Sequence, residues 1–201
     1  MKTIIQIAQD LAPHLGIATP SPVVGSVEQE VIDVLRCINE AGLELMSRFD
    51  WPQLQKEYVI TLTGNVAHNL PSDYSRMVRG AAVMADGSPV RGALADDEFA
   101  RLVQTPGVPR YYRSTLSTIQ FWPYASAGSA RVTYISRNWL AGDRSVVSAD
   151  DNTPLFEDEL VRKGALVRFK RMKGHDFTDY LAEYEGDLSR YSTFSRSERT
   201  P

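Results

Sequence analysis

The sequence predicts an α+β protein: a helical bundle made from both ends of the chain, an inserted antiparallel β-rich region, and a flexible C-terminal tail. Three observations carry this. Apolar residues recur at helical spacing before residue 50 and again after residue 153. Between them run short β-branched and aromatic stretches, broken by Gly, Pro, Asn or Asp at a spacing of about 8–12 residues. The last twelve residues, 190–201, are polar and rich in Ser and Arg. The resulting division is 1–50 for the N-terminal helices, 51–149 for the β-rich region, 150–189 for the C-terminal helices and 190–201 for the tail.

The elements follow in order. Thr3 caps a short helix carrying Ile4, Ile5, Ala8, Leu11, Ala12 and Leu15, with Pro13 disturbing its last turn. Pro20-Ser21-Pro22 and Gly25 form a linker. Ser26-Val27-Glu28-Gln29 reads as a capping box. It opens a helix to Arg48 of about 33 Å at 1.5 Å per residue. Gly42 sits inside that helix at a cost of about 1 kcal/mol relative to Ala, which implies a closely packed neighbour. Asp50-Trp51-Pro52 ends it.

Strands are expected over Lys56–Thr63, Val66–Leu70, Met77–Met84, Arg110–Arg113, Thr118–Phe121 and Ala130–Ser136. A short helix, Asp97–Val103, is capped by Asp96. Antiparallel pairing in a small sandwich or barrel follows from the short spacing, and without alternating long helices a doubly wound fold is excluded. Helix returns with Thr153 as N-cap and Pro154 at the first position. Glu157, Asp158 and Glu159 oppose the positive end of its dipole, and Gly174 stops it. A last helix runs from Phe177 to about Ser189 before the extended tail.

Composition narrows the function. The 22 Lys+Arg against 25 Asp+Glu give a formal charge of −3 over 201 residues, which excludes a generally basic nucleic-acid binder. No apolar run approaches the ~20 residues of a membrane span. Gln6, Gln9 and Asp10 interrupt the N-terminal apolar stretch, which lacks a signal peptide's hydrophobic region, so the chain reads as cytosolic. The single cysteine, Cys37, excludes an internal disulfide and a multi-thiolate metal site. The charge is uneven: 1–50 and 150–188 are acidic, and 51–149 and the tail are basic. Such opposed patches favour head-to-tail association or docking on a charged partner. Arg also outnumbers Lys, 17 to 5, as at interfaces that need flat, weakly hydrated cations.

Reaction chemistry leaves little trace. His14, His68 and His175 are scattered, none with a second His or Cys at metal-ligand spacing. Cys37 reads as a small buried hydrophobe. Phosphate-binding glycine loops and the nucleophile elbow are missing. The acidic run from Asp150 to Glu159 lacks the pattern of a calcium loop and reads as helix capping. We expect no catalytic residues, no metal and no cofactor. An enzyme is the alternative, because paired carboxylates carry no local signature. A binder of nucleic acid through the basic helix stripe is the other.

Two features point to partners. At about 100° per residue, Arg162, Lys163, Lys170 and Lys173 share one quadrant of the late helix. This is either a solvated basic stripe or an inter-subunit or partner surface. In the tail, Tyr191 and Phe194 lie among Arg190, Arg196 and Arg199, as in segments that order on a partner.

Three stretches together resemble a known family. The first is the long helix running into Arg48-Phe49-Asp50-Trp51 and the following strand. The second is Leu70-Pro71-Ser72-Asp73-Tyr74-Ser75-Arg76. The third is Asp151-Asn152-Thr153-Pro154-Leu155-Phe156 ahead of a late helix. With Trp51, Leu70, Pro71, Asp73, Tyr74, Pro154 and Phe156 as signposts, the chain resembles the head-to-tail adaptor (head-completion, connector) proteins of tailed bacteriophages, especially short-tailed ones. The resemblance implies a structural, non-enzymatic virion protein. Such a protein assembles in the host cytoplasm as a homo-oligomeric ring, commonly a 12-mer, at the neck between capsid and tail. Its partners would be the portal protein above and a tail nozzle or tail-tube protein below. Double-stranded DNA would pass through the lumen during genome ejection without sequence-specific binding. The implied portal-docking residues are Arg190, Tyr191, Phe194, Arg196 and Arg199. No membrane is involved. The alternatives within this setting are a peptidoglycan-degrading or other virion-associated enzyme, and a different tail-assembly or nucleic-acid-binding phage protein.

Overall fold

A computed structural model describes residues 1–80 and 83–197, with backbone alone for 192–197. The helices are α1 (Ile4–Leu15), α2 (Gln29–Arg48), α3 (Asp96–Ala100), α4 (Asp158–Met172) and α5 (Thr178–Ser197). The strands are β1 (Gln55–Thr61), β2 (Ala67–Asn69), β3 (Tyr74–Met77), β4 (Val83–Ala85), β5 (Ser88–Pro89), β6 (Tyr111–Ser114), β7 (Thr118–Trp122) and β8 (Ser129–Ser136). The protein is α+β, as expected. The chain divides into a helical unit, 1–54 with 138 onward, and a β unit, Gln55–Arg137. Residues 51–54 and 138–149, placed with the strands from sequence, thus go with the helices.

The helical unit is organised around α4. Leu160, Val161, Gly164, Ala165, Leu166, Val167 and Phe169 are buried and occupy nearly every side of the helix, because α1, α2 and α5 all pack on it. A helix with buried residues on nearly every side lies at a core's centre, and its charged side chains must then find partners there. Two glycines set its spacing. A Cβ on Gly42 would lie 2.5 Å from the Trp139 ring, so the neighbour implied by that glycine is Trp139. A Cβ on Gly164 would meet the Tyr184 hydroxyl at 3.1 Å and Ala41 Cβ at 3.2 Å.

Three aromatics distant in sequence meet beside this contact. Phe156 lies 5.2 Å from Trp51 and 6.5 Å from Trp139, ring centre to ring centre. The Trp51 indole donates to the Leu45 carbonyl at 2.5 Å, and that of Trp139 to Ser145 at 2.8 Å. Each buried indole N–H therefore has an acceptor.

Several helix ends differ from the sequence reading. α2 starts at Gln29, not Ser26. The Asp150 carboxylate accepts the Val24 N–H at 2.7 Å and the Val23 N–H at 3.2 Å, which fixes the linker in a non-helical path. α4 starts at Asp158, not Pro154. Pro154 pairs with Leu140 in an isolated bridge, and the Leu155 N–H donates to the Trp139 carbonyl at 2.9 Å. The acidic run divides between two helices: Glu157, Asp158 and Glu159 stand at the start of α4 as expected, while the Asn152 and Asp150 carbonyls accept the Ile4 and Ile5 N–H groups of α1 at 2.9 and 3.1 Å. The Asn152 side chain, 5% exposed, accepts the Ser148 N–H at 2.9 Å and shapes the loop that does this. In the β unit, α3 covers Asp96–Ala100, shorter than the expected Asp97–Val103.

The tail is also corrected. Expected to be extended from residue 190, the backbone stays helical to Ser197. Arg190-Tyr191-Ser192-Thr193-Phe194-Ser195-Arg196-Ser197 holds no Gly or Pro. Adding a residue to an existing helix is far cheaper than starting one, and Arg190 pairs with Asp187 one turn back at 3.3 Å. The shortage of hydrophobes argued against a packed core, not against a helix.

The β unit holds two antiparallel sheets. One runs β1-β8-β4-β5 with β3 also on β8, and the other runs β2-β7-β6. β8 pairs with β1 along seven consecutive positions, Gln55↔Ile135 to Thr61↔Ser129. Its alternate residues Ala130, Val132 and Tyr134 are buried and pack with Ile60, Val83, Ile119 and Phe121. The expected Met77–Met84 strand is two short strands, β3 and β4, both on the same partner.

The Gly42–Trp139 contact yields a prediction. Gly42→Ala gains helix propensity of about 1 kcal/mol but forces a methyl into an indole, an overpacking cost of about 1–3 kcal/mol. Urea unfolding of the variant should show a lower midpoint with an unchanged slope. A midpoint equal to or above that of the parent would contradict the packing.

Candidate functional site

The sequence singled out the α4 cations and the C-terminal residues, and the structure brings part of each together on α5. Among the described side chains of α5, Tyr184 and Leu188 are buried, each 1% exposed. Charge supplies much of the rest of its attachment. The Lys163 ammonium lies 2.5 Å from Glu183 and 2.6 Å from Asp187, with Glu159 at 3.6 Å. Burial would lower the Lys163 pKa, but its hydrogen bonds to Asp187 and Glu183 outweigh that and raise it. Arg48 reaches Glu185 at 2.6 Å, and Lys170 sits 4.6 Å over the Tyr180 ring. These pairings run α5 antiparallel to α4.

The other members of the basic stripe are also engaged within the chain. Arg162 pairs with Glu159 at 2.5 Å, and Lys173 with Asp33 on α2 at 2.7 Å. The hydrogen bond from Arg162 holds the Glu159 carboxyl below its ordinary range, and that from Lys173 does the same for Asp33. The face read as a free basic stripe is therefore the seam where α4 meets its neighbours. Sequence shows the cations of a helix but not which acids fold against them.

α5 meets the first turn of α4 at Tyr191, which lines a small hollow with Glu159, Leu160, Asp187 and Arg190. Tyr191 is 36% exposed, and the Arg190 side chain is 78% exposed. Phe194 and Arg196 fall on the helical backbone that continues to Ser197. Their side chains, and all of Arg199, lie outside the described residues.

The second signpost, Leu70 to Arg76, is a pin within the β unit. The Asp73 carboxylate accepts from Tyr134 Oη, Ser136 Oγ and Lys56 Nζ, each at 2.9 Å. Its backbone carbonyl accepts the Arg137 N–H at 2.7 Å. The Arg137 guanidinium donates to the Tyr74 carbonyl at 2.6 Å. Leu70 and Tyr74 are buried, and the Leu70 N–H donates to Ser117 at 2.8 Å. The turn thus ties the start of β3 to the end of β8. Burial alone would raise the Asp73 pKa, but hydrogen bonds from Lys56, Ser136 and Tyr134 hold it below the usual range. The motif showed that Asp73 mattered. Its partners, some 60 residues away, left no local signal.

Elsewhere the candidates for chemistry are quiet. Cys37 is buried, which pushes its thiol up to about 11. His68 donates to the Asn65 carbonyl at 3.1 Å, while His14 and His175 are exposed. Among the described residues, His, Cys, Asp and Glu form no group of three able to hold a metal ion. No described helix is long and apolar enough to cross a membrane.

The chain thus joins a helical bundle, whose last helix is held by Tyr184, Leu188 and a set of ion pairs, to a two-sheet unit. A family model described as SU10 adaptor protein matches residues 2–201, and the chain belongs to that family. It is thus a structural adaptor of a bacteriophage particle, associated with the virion and interacting with other virion components. No curated protein matches it.

Asp73 gives a pH-dependent prediction. A carboxyl with a depressed folded pKa stabilises above its unfolded value of about 3.9, and this is lost as pH falls through the folded pKa. Asp73→Asn should cost about 1.5–3 kcal/mol at pH 7, the range for hydrogen bonds to a charged group. The gap between parent and variant should close as unfolding is repeated below about pH 4. A gap that persists unchanged in acid would show that the charge is not what matters.

Proposed function

We propose that the protein is a head-to-tail adaptor that binds the portal at the capsid vertex and joins it to the tail. Copies assemble as a ring, with twelve the expected number, around the channel through which DNA leaves. The observation that carries this is the family match over residues 2–201, on a chain whose organisation resembles head-completion proteins throughout.

The charge distribution supports it. The helical unit holds 13 Lys+Arg against 19 Asp+Glu, and the β unit 9 against 6. An acidic helical unit facing the lumen would repel the DNA backbone and let it slide without sticking. The basic β unit suits contact with an acidic neighbour or tail component, the nozzle or tail-tube protein below.

Portal docking falls to the end of α5. Arg and aromatic side chains dominate binding energy at protein interfaces, and Arg190 and Tyr191 stand exposed there, with Phe194, Arg196 and Arg199 following in sequence. Of the α4 cations, Lys163 and Lys170 hold α5, Lys173 holds α2 and Arg162 pairs within α4, so this stripe is spent within the chain rather than on the portal. Weak single contacts become firm when a ring of portal subunits offers many at once, because each bound copy raises the local concentration seen by the next.

The test is to mix the purified chain with purified portal ring and image the product. Rings of adaptor on one face of the portal are expected. Deleting residues 190–201 should abolish them while leaving the far-ultraviolet circular dichroism close to that of the full chain. Undiminished binding by the truncated chain removes the docking assignment, and no binding by the full chain removes the adaptor reading.

A further inference from the structure

A sheet edge is a row of unused backbone donors and acceptors, and folded chains blunt it with shortness, proline, charge or cover. The β unit blunts some of its edges. β5 is two residues long and ends in Pro89. The outer side of β6 is met by the segment from Arg91 to Leu94: Tyr112 donates to Arg91, and Leu94 to Tyr112, both at 2.9 Å.

Among the described residues, β1 and β2 each keep an open edge. β1 has seven residues and β8 as its one neighbour. The Leu62 N–H donates to Gly128 at 3.0 Å, which sets the phase of the ladder. Bonded pairs alternate in antiparallel strands, so Tyr58 and Ile60 direct their backbone groups to β8, while Glu57, Val59 and Thr61 direct theirs outward. No described backbone group bonds to those three outward sets. The charges of β1 are held within the sheet, Glu57 by Arg131 at 3.7 Å and Lys56 by Asp73 at 2.9 Å. Val59, at the middle, is 58% exposed.

The other open edge is β2. The Leu70 N–H donates to Ser117 at 2.8 Å, and the Phe121 N–H to Val66 at 3.2 Å. By the same alternation His68 faces β7, and Ala67 and Asn69 turn their backbone groups outward. Both are exposed.

We propose that β1 of one copy pairs with β2 of a second copy, so that the five-stranded sheet of one continues into the three-stranded sheet of the next. This rests on the ring reading above and names its seam. A second copy is the occupant because every chain carries both edges. The two edges are different, so joining them is a heterologous contact, the kind that closes a ring. β2 carries no Asp, Glu, Lys or Arg, and the charges of β1 are already paired, so copies meet without repulsion. A β1-to-β1 contact would be isologous and stop at a dimer.

The test uses two single variants of the full chain, Val59→Cys and Ala67→Cys, each alone and mixed in equal amounts, with a short bis-maleimide cross-linker. The native Cys37 is buried, so the parent chain serves as the uncross-linked control. Reactions are run on the free protein at high concentration and on the purified portal ring. Covalent dimers should form in the mixture and not in either variant alone. Dimers from Val59→Cys alone, or none in the mixture under both conditions, overturn the seam. Val59→Pro removes an outward donor and leaves the β8 ladder intact, so it should unfold at nearly the parent's temperature yet self-associate at least about tenfold more weakly. Portal binding is read on the same samples. Copies that bind the portal without cross-linking leave the adaptor reading standing and remove the seam, whereas cross-linked free chains that ignore the portal do the reverse.

Discussion

The close approach of Trp139 to α2, and of α2 and α5 to α4, is the constraint on which the helical unit depends. Interiors pack at near-crystalline density, so a single methyl at the wrong place shifts everything around it. Here two glycines, Gly42 and Gly164, leave room for the Trp139 ring and the Tyr184 ring. With Trp139 seated, Phe156 stacks on it and Trp51 packs at a tilt against Phe156. The 138–157 segment then lies where Asn152 and Asp150 receive the first N–H groups of α1 and the linker before α2. One packing decision thus orders both ends of the chain around one helix.

The two parts of the molecule are held by different physics, and the difference suits an adaptor. α4 is locked by apolar burial, which is strong and insensitive to salt. α5 rests on two buried side chains and a set of ion pairs around Lys163 and Arg48. In the β unit, Asp73 performs the work of a staple, gathering Lys56, Tyr134 and Ser136 on one carboxylate.

The legible and illegible parts of the fold divide along sequence distance. The α–β–α order, Gly42 as a point of close packing, and Asp73 as a turn residue that matters all follow from local pattern. What they touch does not, since Trp139 and Tyr134 lie far along the chain. The acidic run at 150 reads locally as a cap for the next helix. Glu157 to Glu159 do stand at that helix's start, but Asp150 and Asn152 serve the first helix and the linker instead, because a carbonyl or carboxylate serves whichever N–H groups the fold delivers. The basic stripe misleads for the same reason: cations on one helix face look free until the acids of α5 and α2 are folded onto them. The C-terminal segment was read by hydrophobicity, although helix continuation is governed by the absence of a breaker. The open edges of β1 and β2 need strand register, which no window of sequence contains.

The central claim is a place in the particle: between portal and tail, surrounding the DNA path. The most direct measurement is a reconstruction of the intact virion neck by electron microscopy without imposed symmetry, traced against this chain. The account predicts a closed ring below the portal, its helical units facing the channel, the ends of α5 against portal subunits. Density for this chain elsewhere on the particle, or a portal in direct contact with the tail and no ring between, would contradict it.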